Sequence, residues 1–260
     1  MLAPLLLFVC FYLATFFLLV WLRLPLVQWS AFLSACIASA ATIAIWDRKW
    51  NLGVFVPPRF ATREFALGSV WGVLLIGSCA ILVSLSSDIH HTWRGAFPWR
   101  ELVALYIPAA VHEELLFRGY LFQKLARWHR TFAVFFGALI FAVVHAGNNA
   151  VTALALTNIF LGGILLGLAY LRFERLWFPI GLHLFWNLMT GPILGDEVSG
   201  FGNTQSLLME SGKGIVWITG GKFGLEGSVW ATAVELVAIA LLVRAAYHPR
   251  SLRFPDPTKE

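Results

Sequence analysis

Ala110-Val111-His112-Glu113-Glu114-Leu115-Leu116-Phe117-Arg118-Gly119 sets two acids and an arginine inside a run, 101 to 122, that is otherwise apolar and long enough to cross a bilayer. An acid or base near the bilayer centre costs roughly 2.5–3.5 kcal/mol on insertion scales, so a segment that keeps three of them is using them. On a helix Glu114 and Arg118 are four apart on one face, which suits an ion pair in a low-dielectric setting. Glu113 points about 100° away from Glu114, so one carboxylate is neutralised while its neighbour stays free for chemistry. His112 and Glu113 also open the zinc-peptidase pattern His-Glu-x-x-His, but Leu116 stands where the second histidine is required, and that motif is rejected.

Composition names the solvent around this segment. The 260 residues are 59% hydrophobic and 13% charged, with a mean hydropathy of +0.75. That balance excludes an ordinary soluble domain, for which about 45–50% and 25% are typical. Many of the 12 Trp, among them Trp21, Trp46, Trp93, Trp128 and Trp177, fall near the ends of apolar runs, as an aromatic belt requires. Cys10, Cys36 and Cys79 lie within apolar runs and read as small packing residues, not as a disulfide framework or a metal cluster.

Met1 to Leu22 lacks a basic n-region and a small-residue cleavage site, and reads as an uncleaved first span. Further apolar stretches at about 25–46, 66–87, 101–122, 131–147, 150–171, 176–194 and 228–247 predict an all-α polytopic membrane protein of about eight transmembrane helices, with its active site inside the bundle. Three parts are expected: N-terminal spans over 1–98, a catalytic core over 99–195, and, over 196–260, a glycine-rich non-cytoplasmic loop, the last span and a tail. Lys and Arg divide thirteen to five between the two sides, with Arg118 intramembrane as the nineteenth. That asymmetry puts both termini in the cytoplasm of a multi-pass cell-membrane protein. The charge of +5 is therefore topological, and nucleic acid is not expected as a partner.

The loop from Gly195 to Gly227 is not a phosphate loop. Val216 stands where a Walker A element needs its first glycine, and Phe223 follows Lys222 where Ser or Thr is required. It reads as a flexible or membrane-dipping loop, with a gating lid as the alternative. The tail from His248 to Glu260, with three prolines, reads as disordered.

Two later spans carry the remaining polar groups. Phe141-Ala142-Val143-Val144-His145 ends the fifth, and His183-Leu184-Phe185-Trp186-Asn187 puts an imidazole and an amide one turn apart in the seventh. A lone intramembrane histidine is usually hydrogen-bonded packing. A carboxylate, two imidazoles and an amide from three spans instead supply a general base, a group to orient water or carry a proton, and donors for an oxyanion.

Glu113-Glu114-x-x-x-Arg118, Phe141-x-x-x-His145 and His183-x-x-x-Asn187, in that order on successive spans, resemble the three signature motifs of the type II CAAX prenyl endopeptidase family, also called the CPBP or Abi family of intramembrane proteases. The resemblance covers roughly residues 100–190. It implies peptide-bond hydrolysis in the membrane by a glutamate-activated water, acting on a membrane-associated protein or peptide, either a prenylated CAAX-type one or an unprenylated one. In that scheme Glu113 is the base, His145 holds the water, His183 and Asn187 stabilise the oxyanion, and Glu114 with Arg118 supports the site. No cofactor is expected. The alternative is zinc held by Glu113, His145 and His183, since the family resemblance has also been read as a metalloprotease. A scaffold or regulator of the same fold, or a proton-coupled transporter, are the competing functions. Of the other polar residues, Asn148 and Asn149 are expected to cap the fifth span, and Glu235 to be a packing or cavity-facing acid. Gly162, Gly163 and Gly167 are expected to permit close helix approach in the sixth span.

Overall fold

The computed structural model describes residues 2–23, 26–48, 52–202 and 205–247. The tail from His248 to Glu260 lies outside them. The chain is an all-α polytopic membrane protein, and every one of the eight apolar stretches is helical. The elements run α1 (Leu2–Trp21), α2 (Val27–Ile45), α3 (Pro58–Ser86), β1 (His90–Trp93), α4 (Trp99–Glu101), a π-helical stretch Leu102–Tyr106, α5 (Ile107–Phe117), α6 (Tyr120–Trp128), α7 (Arg130–His145) and α8 (Ala153–Phe173). They continue with α9 (Trp177–Leu188), a second π-helical stretch Met189–Leu194, β2 (Leu208–Ser211), α10 (Val216–Thr219) and α11 (Val229–Tyr247). Among the described residues α1, α2, α3 and α8 are long and apolar enough to cross a membrane unaided. The stretches that carry the polar motifs are shorter or interrupted, which irregular backbone at membrane depth permits only where it is buried in protein or lines a cavity.

The fourth stretch departs from the expected continuous helix. Pro108 has no N–H to offer the preceding turn, and the backbone just before it widens into the π-helical register. At the other end α5 stops at Phe117, Arg118 leaves helical geometry at φ −124° and ψ −3°, and the chain turns through Gly119 into α6. A Cβ at Gly119 would lie 2.0 Å from the Leu115 carbonyl oxygen, so this turn requires glycine. The break frees the Arg118 side chain to reach sideways into the bundle.

Side-chain caps start the next two helices. The His129 ring accepts from the Phe132 N–H at 3.1 Å at the head of α7, and Thr152 Oγ1 accepts from the Ala155 N–H at 3.1 Å at the head of α8. The fifth stretch ends at Ala146, not at an asparagine cap, because Asn148 is used elsewhere: its amide donates to the Ser199 carbonyl at 3.0 Å.

α9 is the central helix, packed against α3, α5 and α8, and its side chains from Phe178 to Leu184 are all buried. The α3–α9 seam is very close: a Cβ on Gly72 would lie 2.5 Å from the Leu182 carbonyl oxygen. Gly72→Ala is therefore expected to force the two backbones apart at a cost of about 1–3 kcal/mol. Thermal unfolding of the detergent-solubilised variant checks this, and an unchanged Tm would contradict the contact. The outward faces of α1 and α7, including Leu2, Leu6, Phe17, Phe135, Leu139 and Val143, are exposed apolar surface suited to lipid.

Ion pairs collect at the end of the bundle where α2 stops and α3, α7 and α9 begin. They are Lys124 with Asp47 at 2.7 Å, Arg130 with Glu174 at 3.3 Å, and Arg175 with Glu64. Asp47, past the end of α2, also accepts from the Tyr120 hydroxyl. Burial pushes its carboxyl upward, but the hydrogen bonds from Lys124 and Tyr120 and the charges of Lys124 and Arg127 outweigh burial and hold it below the ordinary aspartate range. A depressed carboxyl contributes stability that is complete above its unfolded value, near 3.9, and is lost as pH falls through the lower folded one. The fall in Tm on acidification below about pH 5 should accordingly be steeper in the native protein than in Lys124→Met. Parallel curves would contradict this.

At the opposite end, where the sequence predicts a flexible or membrane-dipping loop, the described residues of the glycine-rich segment include a strand and short helical turns. β2 pairs antiparallel with β1, His90 opposite Ser211 and Trp93 opposite Leu208. Phe223, Leu225 and Glu226 are buried, and Leu225 packs with Ile76 and Trp186. Asp196 follows the second π-helical stretch, where burial first and the nearby Glu210 second raise its carboxyl well above the usual range. The cysteines are unpaired; Cys79 is buried as expected, whereas Cys10 is exposed on the outer face of α1.

Candidate active site

A cavity of about 760 Å³ lies inside the bundle. Tyr12 of α1, His112 and Glu113 of α5, His145 of α7, Asn158 of α8, and His183, Trp186 and Asn187 of α9 all line it, with Ser199, Glu226 and Glu235 toward the loop end and α11. The four residues named as catalytic from the sequence thus share one space, which is the packing consequence of placing each pair at helical spacing.

Glu113 Oε2 faces both imidazoles, 3.9 Å from His145 Nε2 and 3.8 Å from His183 Nε2. It is buried and has no hydrogen-bond partner. The far nitrogens of both rings are anchored. His145 Nδ1 lies 2.7 Å from the Phe141 carbonyl oxygen, and His183 Nδ1 lies 2.9 Å from Glu114 Oε1. A carbonyl oxygen and a carboxylate paired with arginine only accept, so each Nδ1 carries its proton, and each Nε2 is the atom presented to Glu113.

Glu114 and Arg118 form the expected pair, Arg118 Nη1 donating to Oε1 at 3.0 Å, with Glu114 fully buried and Arg118 nearly so. Arg118 Nη2 also donates to the Gly163 carbonyl at 3.1 Å, which binds α5 to α8. Its guanidinium carbon stands 4.7 Å from the centre of the Phe141 ring, and that ring contacts both His145 and His183. Phe141 therefore touches three of the site's polar groups through its π-face, ring edge and carbonyl. The sequence offered its place four residues before His145, but not this use.

The sequence marks His112 only as the start of a rejected zinc motif and gives no sign of Tyr12. The Tyr12 hydroxyl lies 2.8 Å from His112 Nε2 and the rings stack at 5.9 Å, beside Glu113. They are 100 positions apart in the chain, and no local pattern signals such a pair.

The zinc alternative fits poorly. With bonds of about 2.0–2.1 Å, neighbouring ligand atoms of a tetrahedral zinc are roughly 3.3 Å apart. The spacings of 3.8 and 3.9 Å are wider. Among the described residues no three His, Cys, Asp or Glu side chains form a metal-binding group.

The helical bundle thus encloses a carboxylate opposite two anchored imidazoles. Residues 95–189, the segment that carries all three motifs, match the family described as type II CAAX prenyl endopeptidase Rce1-like. That segment, rather more than a third of the chain, is thus similar to the CAAX-type endopeptidase family whose motifs the sequence resembles. No curated protein and no solved structure matches it.

Proposed function

We propose that the protein hydrolyses a peptide bond of a membrane-associated protein or peptide, using a water activated by Glu113. The observation that carries this reading is the gap of 3.8 to 3.9 Å between Glu113 Oε2 and both Nε2 atoms, a width that one water can span with ordinary hydrogen bonds. Two carboxylates stand here against one guanidinium. One further proton, shared among Glu113 and the two Nε2 atoms, makes the set neutral and gives it a proton to donate.

In the reaction Glu113 takes a proton from the water while His145 orients it, and the hydroxide oxygen bonds to the carbonyl carbon. The amide of Asn187 and a protonated His183 Nε2 donate to the resulting oxyanion. Collapse breaks the C–N bond, and the proton held by Glu113 passes to the leaving nitrogen, giving a carboxylic acid and an amine; transfer of the acid's own proton to that amine leaves carboxylate and ammonium. Glu114 and Arg118 act through His183 and α8 and hold the geometry without touching substrate. The gathering of basic residues at the end where α3, α7 and α9 begin supports a cytoplasmic placement of that end, and with it of both termini.

The test is cleavage of a quenched-fluorescent peptide library, with prenylated and unprenylated members, by the purified full chain in detergent with and without chelator. Cleavage indifferent to chelator is expected. Loss of cleavage on chelation, restored by zinc, would replace this mechanism with the metal-dependent one, and no cleavage of any member would turn the reading toward a scaffold role.

A further inference from the structure

The wall of the cavity formed by α8, α11 and the loop end holds an acid that the hydrolytic chemistry does not use. Glu235, on α11, is 4% exposed, its Oε2 has no hydrogen-bond partner, and it lines the same cavity as Glu113. Oε1 faces bare backbone: a Cβ built on Gly162 would lie 3.2 Å from it.

The side-chain donors of Asn158, Trp186 and Ser199 on this wall are already committed. Asn158 Nδ2 donates to the carbonyls of Glu226 and Ser228, both at 2.8 Å, while its Oδ1 accepts from Thr232 at 2.6 Å. Trp186 Nε1 donates to Glu226 Oε1 at 2.9 Å, and the N–H and hydroxyl of Ser199 donate to Glu226 Oε2 at 2.7 and 2.6 Å. Among the carboxyls and amides of this network the unused hydrogen-bonding capacity is an acceptor, and it belongs to Glu235. Among the described residues that line the cavity there are three carboxyls, Glu113, Glu226 and Glu235, and no Lys or Arg. A buried carboxyl without a partner is costly and is relieved by a ligand that donates to it, most strongly by a cation.

We infer that Glu235, opened to the cavity by Gly162, forms a substrate subsite for a basic group, the ammonium or guanidinium of a Lys or Arg side chain near the scissile bond. Gly162 precedes Gly163, whose carbonyl accepts from Arg118, so the subsite begins one residue along α8 from the ion pair that supports the imidazoles. The inference rests on the reading that this cavity receives a peptide.

Peptide binding without turnover tests it. The full-length Glu113→Gln variant in detergent is titrated, by fluorescence anisotropy, into labelled peptides in which Lys, Arg, Gln or norleucine is scanned through each position. At one position Lys and Arg should bind at least tenfold more tightly than Gln and norleucine. Adding Glu235→Gln should bring that ratio close to one, whereas Glu235→Asp should retain part of it. Should Glu235→Gln fail to fold, Gly162→Leu fills the same space from α8 and should also erase the preference. Acetylating the peptide N-terminus separates a side chain from a free α-ammonium: a preference seen only with the free terminus would overturn the assignment to a side chain. Equal affinity at every position, a preference that survives Glu235→Gln, or no binding by any peptide would overturn the subsite. Cleavage by the native protein without a basic preference sinks the subsite alone. A basic preference in binding with no cleavage of any peptide leaves the subsite standing and sinks the hydrolytic reading.

Discussion

Replacement of Glu113 by Ala is expected to lower kcat for peptide cleavage by about 10³-fold or more, with the protein still folded. General bases typically contribute 10²–10⁴-fold, and here the same oxygen also faces both imidazoles that would hold the water. The structural cost should be small, because Oε2 has no hydrogen-bond partner to lose and the side chain lines open space. Glu113→Gln keeps the size and removes the basicity, and should be nearly as inactive. The measurement is kcat and KM on the peptide found by the library, alongside thermal unfolding of each variant. A kcat within tenfold of the native value for both variants would remove Glu113 from the chemistry, even if the protein cleaves.

How much of this site could be read from the sequence depended on how far apart its parts lie in the chain. Glu114 with Arg118, and His183 with Asn187, are four residues apart, so the helical period alone put each pair on one face. Hydropathy then supplied the helices that hold them. The Tyr12–His112 contact and the Asn158–Glu226–Trp186 network join residues 40 to 100 positions apart, and no short-range pattern encodes which helices become neighbours. The same holds for the pairing of His90–Trp93 with Leu208–Ser211, whose segments carry no strand-like alternation. The end of α5 at Phe117 was concealed differently. Gly119 reads as a tolerable glycine in an apolar run, and only the packing of Arg118 against α8 and Phe141 makes a turn there worth more than another helical hydrogen bond. Glu235 was visible as an intramembrane acid, but its lack of a partner is a property of the assembled bundle.

Arg118→Ala should be the most damaging single change to stability. It removes in one step the charge that compensates the fully buried Glu114, the donor to the Gly163 carbonyl that links α5 to α8, and the cation beneath the Phe141 ring. Breaking a buried pair from one side costs about 3–5 kcal/mol, because the partner charge is left unneutralised. For a chain of this size that corresponds to a fall in Tm on the order of 10 °C. Arg118→Lys should recover only part of the loss, since a single ammonium cannot span Glu114 Oε1 and the Gly163 oxygen as the planar fork does. Glu114→Gln combined with Arg118→Met removes both charges together and should be more stable than Arg118→Ala, although His183 then loses the carboxylate that holds its Nδ1 proton and activity stays low. Thermal unfolding of the four proteins in detergent decides the matter. If Arg118→Ala unfolds within about 2 °C of the native protein, well inside the shift expected for a broken buried pair, the ion pair does not hold α5 and α8 together, and the positioning of His183 must be attributed to the α3–α9 seam instead.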